Sequence, residues 1–331
     1  MRLVTFQGAS GTDRLGALVD GDWVFDLQAA AAANGQDSRP FASMLSLIES
    51  GAGGLEAARR LLDVKIVDAL VAPGAYRLRA PLPVPPQMRD FLSFEEHLKN
   101  SLESAIKIRA AMSDDPQKAE AELRASGRFR ISPVWYQQPV YYKCNRFAVC
   151  GPDETVVWPA YSQIMDYELE LAAVIGRQGR DIKREDARDH IFGFTIFNDF
   201  SARDAQTKEM EGLLGPAKGK DFDNANALGP CIVTVDEIGD PYDLAMAARV
   251  NGVEWSRGHS GTIYWTFEDM IAHVSQGETL YPGEVIGSGT VGRGCGLELM
   301  RFLSDGDVVE LEIEKIGVLR NRVVRAVGVG A

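Results

Sequence analysis

Glu168 and Glu170 alternate with Tyr167, Leu169 and Leu171 in the run MDYELELAAVIG. Side chains at i and i+2 of a β-strand share a face, so this spacing predicts a strand that aims both carboxylates one way and an apolar face the other. A third acid, Asp199, follows the apolar run 192–197, which reads as a second strand. Three carboxylates converging from two strands suit a hard divalent cation, since Mg²⁺, Mn²⁺ and Ca²⁺ prefer oxygen ligands. No Cys or His stands near enough in sequence to suggest zinc. Taken alone, Glu-x-Glu also describes the solvated face of an edge strand. The residues that follow argue for the cation. Ser201, Ala202, Arg203, Asp204 and Gln206 form a polar cluster after the strand, and a glycine loop brings Gly219 and Lys220. Acids for a cation, beside Arg, Gln and Lys for an anion, is the division of labour of a metal-assisted active site.

The chain that must position these groups has 331 residues, 45% hydrophobic and 25% charged, enough for one large domain or two unequal ones. A net charge of −12 argues against nucleic acid or an anionic membrane as partner. The start, MRLVTFQG, lacks an apolar run with a cleavage site, and no stretch of about 18 apolar residues occurs. A cytoplasmic protein with neither signal peptide nor membrane span is therefore expected. Cys144, Cys150, Cys231 and Cys295 show no CxxC spacing and are expected to be reduced core residues.

Residues 2–6, 15–19 and 23–27 read as short strands, the last two joined by an Asp20-Gly21 turn, and 29–33, 41–48 and 54–62 as helices. Pro81, Pro83, Pro85 and Pro86 form a stiff connector. It sets the expected division into a small N-terminal α+β domain, 1–85, and a catalytic domain, 86–331. Beyond it, 94–112 reads as an amphipathic helix with a break at 114–116. Asp90 and His97 lie seven residues apart, about two helical turns; a lone His there also fits a surface helix. The aromatic segment 131–157 holds Lys143 and Arg146, either a pocket wall for an anionic, partly flat substrate or core plus surface cations. Asn251-Gly252 marks a hairpin within 242–253, and 263–274 reads as a helix capped by Ser260 or Thr262. Residues 284–289 read as a strand ending at Thr290, with Gly292, Gly294 and Gly296 as a flexible loop. Glu298 sits in GLEL, and 308–316 and 318–327 are the last strands. His259 and His273 are assigned to structure. Many strands, few long helices and glycine-rich turns predict an α+β chain that is mostly β.

ELEL, NDFSARDAQ, LGPAKGKDF, GSGT and GLEL together resemble the fumarylacetoacetate hydrolase family over roughly residues 89–324. The resemblance implies a mixed β-sandwich roll, a homodimer, and a divalent-metal-dependent hydrolase. Its reaction would cleave a C–C bond in a 1,3-dicarbonyl acid, an acylpyruvate or a fumarylacetoacetate-like compound, as in aromatic catabolism. By resemblance, Asp90, Glu168, Glu170 and Asp199 hold the cation, Mg²⁺ first, with Mn²⁺ and Ca²⁺ open. His97, held by Glu298, is the general base for water. Arg203, Gln206 and Lys220 would stabilise oxyanion charge, each such donor contributing about 3 kcal/mol to barrier reduction. Gln206, Thr290 and Lys143 are the expected substrate contacts, and Asn224 stands where relatives often carry Thr. Leu92 occupies the place of a hydroxyl-bearing aromatic in hydrolytic members. Asn100 occupies that of a Glu in smaller decarboxylating and acylpyruvate-cleaving ones, so the chain sits between subtypes. The same site could run decarboxylation, isomerisation or hydration of a 2-oxo acid such as oxaloacetate, and a non-catalytic binding protein of the same fold is a third reading.

Overall fold

Apolar and β-branched runs pair into two main sheets in the computed structural model, which describes residues 1–64 and 66–326. The larger sheet runs, strand beside strand, through Leu70–Val71, Trp23–Asp26, Asp13–Val19, Arg2–Gln7, Asn226–Thr234, Ile191–Asp199, Leu169–Ile175, Val285–Gly287, Met88–Phe91 and Tyr141–Lys143. The smaller runs through Val253–His259, Ala245–Val250, Val308–Ile313, Gly317–Arg325 and Thr155–Trp158. Alternate residues of the larger sheet face different cores. Leu171, Ala173 and Phe194 join Met246, Leu311 and Ile313 of the smaller sheet in one buried cluster. Ala172, Val174 and Phe197 join Leu47, Ala58 and Leu61 in the other, under the N-terminal helices Leu27–Ala33, Met44–Glu49 and Gly51–Val64. A sandwich on one face and helices on the other is the α+β architecture expected. Arg2 and Leu3 pair with Val233 and Ile232, so residues 1–85 continue the sheet that 86–331 build.

Turn chemistry decided the hairpins. Gly21, at φ 72°, lies in the turn joining Asp13–Val19 to Trp23–Asp26, and Asn251-Gly252, at φ 52° and 76°, joins Ala245–Val250 to Val253–His259. The long helix is Glu95–Ala111, and Asp115 caps a second helix, Pro116–Ala125, with Pro116 in its first turn. Several boundaries differ from expectation: the helices read as 41–48 and 54–62 are Met44–Glu49 and Gly51–Val64, and the strands read as 284–289 and 308–316 are Val285–Gly287 and Val308–Ile313. The helix read as 263–274 is Phe267–Val274, because Thr266 and Asp269 form a capping box that Ser260 and Thr262 do not. The final strand is Gly317–Arg325, and the expected end at Val327 lies outside the described residues. All four cysteines are free and buried.

Candidate active site

The Leu169–Ile175 strand is central, paired with Ile191–Asp199 on one side and Val285–Gly287 on the other. Both neighbours cover it, so the solvated-edge reading of Glu-x-Glu fails: Glu170 and Asp199 are 0% exposed. Met88–Phe91 lies parallel to Val285–Gly287 with Asp90 opposite Gly287, and Tyr141–Lys143 sets Tyr142 opposite Asp90. This register brings carboxylate oxygens of Asp90, Glu170 and Asp199 within 4.8 Å of one another. Gly287 makes room between them, since a Cβ there would stand 2.5 Å from Asp90 Oδ1. Asp90 is on a strand and His97 on a helix, so their spacing is not two helical turns.

Glu168 departs from the expected quartet. It is not one of the three acids whose oxygens cluster, and both of its own oxygens face cations. Arg203 Nη2 lies 2.8 Å from Oε1, and Lys220 Nζ lies 2.5 Å from Oε2 and 2.6 Å from Asp199 Oδ2. Arg203 also donates through Nε to Asp166 at 2.8 Å and through Nη1 to Gln206 at 2.9 Å. Arg203 and Lys220, expected to stabilise oxyanion charge, reach the site as counter-charges to buried acids. Five buried carboxylates (Asp90, Asp166, Glu168, Glu170, Asp199) face these two buried cations. Burial, with the charge of Asp199, pushes Asp90 up to about 8. Burial and the neighbouring Asp90 hold Glu170 well above the carboxylate range. Burial also raises Asp199, to about 6, against the pull of Lys220. Glu168 goes the other way: burial opposes its charge, but Lys220 and Arg203 more than offset that and lower it.

The trio fits a divalent cation. Glu170 Oε2 and Asp199 Oδ1 are buried with no hydrogen-bond partner, a costly arrangement unless something positive accepts them. All three donors are carboxylates, the oxygen set of Mg²⁺, Mn²⁺ or Ca²⁺.

His97, on the first turns of the Glu95–Ala111 helix, donates from Nδ1 to Glu298 Oε1 at 2.8 Å. Glu298 is itself held. Asn100, one turn after His97, donates to Oε2 at 3.0 Å, and the N–H groups of Arg293 and Gly294 donate at 2.7 and 3.1 Å. The loop of Gly292, Gly294 and Gly296, expected to be flexible, instead wraps this carboxylate. Against the opposing effect of burial, the pairing with His97 lowers Glu298. A fixed tautomer with its other nitrogen free is the arrangement of a general base.

His97, the acids Asp90, Glu168 and Asp199, and Arg203, Gln206, Lys220 and Thr290 line one cavity of about 560 Å³. Thr290 donates to Glu170 Oε1 at 3.3 Å. Lys143 is a correction: it is exposed and lines none of this cavity, whereas Tyr141 and Tyr142 before it on the strand both do. Asn224 donates to the Thr155 carbonyl, away from the cavity. His259 stands exposed 3.4 Å from Asp243, and the His273 ring packs edge-on to Tyr141. Two residues had escaped sequence reasoning. Asp166, fully buried, pairs with Arg203 and accepts from the N–H groups of Gly296 and Leu297 at 2.7 and 2.9 Å. Tyr142 donates to Asp199 Oδ2 at 2.6 Å. A signal for Asp166 existed, since it continues the alternation of Glu168 and Glu170 by two residues.

A family model described as fumarylacetoacetate (FAA) hydrolase C-terminal matches residues 110–324, a span that leaves Asp90 and His97 outside it. The chain is 42% identical over 191 residues to human oxaloacetate tautomerase FAHD2A, mitochondrial, a match that covers 57% of this chain. The chain spans 60% of the length of that relative. To the Xenopus laevis oxaloacetate tautomerase fahd2, mitochondrial, it is 33% identical over 98% of this chain and 90% of that one. Two solved structures superpose on it over 98% of this chain and 100% of their own. Fumarylacetoacetate hydrolase from Exiguobacterium antarcticum does so at a TM-score of 0.72 and 26% identity. Maleylpyruvate hydrolase from Sphingobium sp. SYK-6, in complex with manganese(II) ion and pyruvate, does so at 0.70 and 25%.

Proposed function

The chain belongs to the fumarylacetoacetate hydrolase family, and from that premise we propose that it is a divalent-metal-dependent hydrolase of a 2,4-dioxo acid of the acylpyruvate type. One observation carries the reading: His97, which is paired with Glu298, lines the same cavity as Asp90 and Asp199, two members of the acid trio. Asp90, Glu170 and Asp199, with Glu168 beside them, would hold the cation, Mg²⁺ or Mn²⁺. When bound, it supplies Lewis-acid polarisation of the substrate's oxygens. His97 Nε2 takes a proton from water, and the hydroxide adds to the acyl carbonyl. The C3–C4 bond breaks with its electron pair on C3, and the proton held by His97 passes to C3, giving a carboxylic acid and pyruvate. Glu298 keeps the imidazole in the Nδ1–H tautomer and stabilises the imidazolium, while Asn100 and the loop N–H groups fix Glu298. Gln206 and Thr290 contact the substrate.

The human and Xenopus relatives favour a second reading, keto–enol tautomerisation of oxaloacetate, in which His97 moves a proton between the enol oxygen and C3. The test uses metal-stripped protein with Mg²⁺ or Mn²⁺ restored, following loss of enol absorbance and the products. Metal-dependent release of pyruvate and a carboxylic acid from acetylpyruvate supports hydrolysis. Faster ketonisation of enol-oxaloacetate without cleavage of any acylpyruvate replaces it with the tautomerase. The homodimer implied by family membership belongs to the same proposal; light scattering that gave a single-chain mass would remove it.

A further inference from the structure

The cavity over the acid trio is far larger than a four-carbon acid fills, and it changes character with distance from the acids. Its volume of about 560 Å³ lies in the range that buries drug-sized ligands. One end is polar and charged, as described above. The lining beyond it is mainly apolar, with Leu92, Leu98, Leu102, Ala105, Met210 and Leu214, and takes in Ser101, Thr207 and the Arg109–Glu211 pair. Leu98, Leu102 and Ala105 follow the four- and three-residue spacing that places them on one face of the helix, beside the stripe of His97 and Ser101, so the helix that carries the base also contributes apolar wall. Leu92 lies two residues beyond Asp90 and contributes a hydrocarbon surface to the cavity.

Charge completes the argument. The cations that line this cavity are Arg109, Arg203 and Lys220. Arg203 and Lys220 are engaged by Asp166, Glu168 and Asp199. Arg109, in the apolar part, lies 3.2 Å from Glu211 and over the Phe129 ring. Among the described residues, then, no lining cation is left unmatched to receive a carboxylate at the far end of a substrate. The rim also offers apolar surface that a bound chain would cover: Met210 is 51% exposed and Leu214 98%.

We propose that the apolar end of the cavity is a subsite for a neutral hydrocarbon arm, so that the substrate is a 2-oxo acid with a long uncharged acyl substituent rather than a dicarboxylic acid. The proposal rests on the reading of the polar end as a 2-oxo-acid site. For the hydrolytic reaction it gives a balanced equation: R–CO–CH₂–CO–COOH plus water yields R–COOH plus pyruvic acid, with R the arm.

Binding tests the arm separately from turnover. Straight-chain 2-oxo acids from pyruvate to 2-oxooctanoate, and 2-oxo acids of matching length ending in a carboxylate, are titrated into the Mn²⁺-loaded protein and followed by thermal shift. Affinity is expected to rise about fourfold for each added methylene until the arm is filled, as apolar burial dictates. The carboxylate-ended series is expected to bind at least tenfold more weakly than its neutral counterpart. Leu102→Glu should weaken 2-oxooctanoate binding at least tenfold more than pyruvate binding. Glu211→Gln, which unmatches Arg109 at an exposed position, should narrow the gap between the two series. A flat response to chain length, or tighter binding of the carboxylate-ended acids, overturns the proposal whatever the enzyme's reaction. Failure to cleave any acylpyruvate while the chain-length trend holds instead removes the hydrolase reading and leaves the subsite.

Discussion

Asp166 shows how much of this site rests on residues that never meet a substrate in the proposed mechanism. It anchors Arg203, which in turn neutralises Glu168, and its two oxygens accept the Gly296 and Leu297 N–H groups at the start of the short Gly296–Leu299 helix that carries Glu298. Asp166→Ala leaves Arg203 short of a partner in a buried setting, and the expected loss is about 3–5 kcal/mol of folding stability in urea titrations. His97→Gln is expected to leave Mn²⁺ affinity unchanged while turnover falls about 10²–10⁴-fold, the contribution of a positioned acid–base group. Weakened Mn²⁺ binding in that variant, by isothermal titration, would move His97 from base to ligand. At this scale the sequence was partly legible. The acids of ELEL stand out because period two is visible locally, and Asp166 was readable on the same rule. The partnership of His97 with Glu298 spans 201 residues, so no local pattern carries it, and the family resemblance supplied it.

Strand register turns scattered acids into one site. Asp90 and Glu170 approach each other only because Val285–Gly287 inserts between their strands and presents a glycine at the point of contact. Gly287→Ala would put a Cβ 2.5 Å from Asp90 Oδ1 and 3.0 Å from the Phe197 ring. Overpacking of that kind costs about 1–3 kcal/mol. The expected result is metal affinity reduced at least tenfold with the chain still folded, checked by Mn²⁺ titration alongside circular dichroism. Element types were legible in the sequence because apolar runs, the Asp20-Gly21 and Asn251-Gly252 turns and the Asp115-Pro116 break all act locally. Register was not legible, and it is what put Tyr142, rather than Lys143, beside Asp199. The glycines at 292, 294 and 296 were misread for a related reason: their composition suggests freedom, whereas the Gly294 N–H is tied to Glu298, the Gly296 N–H to Asp166, and Gly292 packs against Glu96.

Across the whole molecule, the acid trio links metal, proton and stability. Asp90, Glu170 and Asp199 have folded-state affinities for protons above those of an unfolded chain, so the metal-free native state binds more protons than the unfolded state between about pH 4 and 8. Stability from these groups is therefore greatest at low pH and declines as pH rises through that window. Glu168, shifted the other way, contributes stability above its unfolded value and loses it only as pH falls below about 4. A divalent cation removes the penalty by replacing the protons. The thermal shift produced by a fixed excess of Mn²⁺ is accordingly expected to grow from pH 5 to pH 8, and a shift independent of pH would show that the trio does not bind it. The same continuity shapes how the chain behaves when divided. Because Arg2–Gln7 hydrogen-bonds along Asn226–Thr234, and Leu3 shares a core with Leu228 and Ile232, a fragment starting at residue 86 would bare a β-edge and its greasy underside together. Unguarded edges of that kind recruit other chains, so such a fragment is expected to self-associate into insoluble material unless the missing strand is supplied as a peptide.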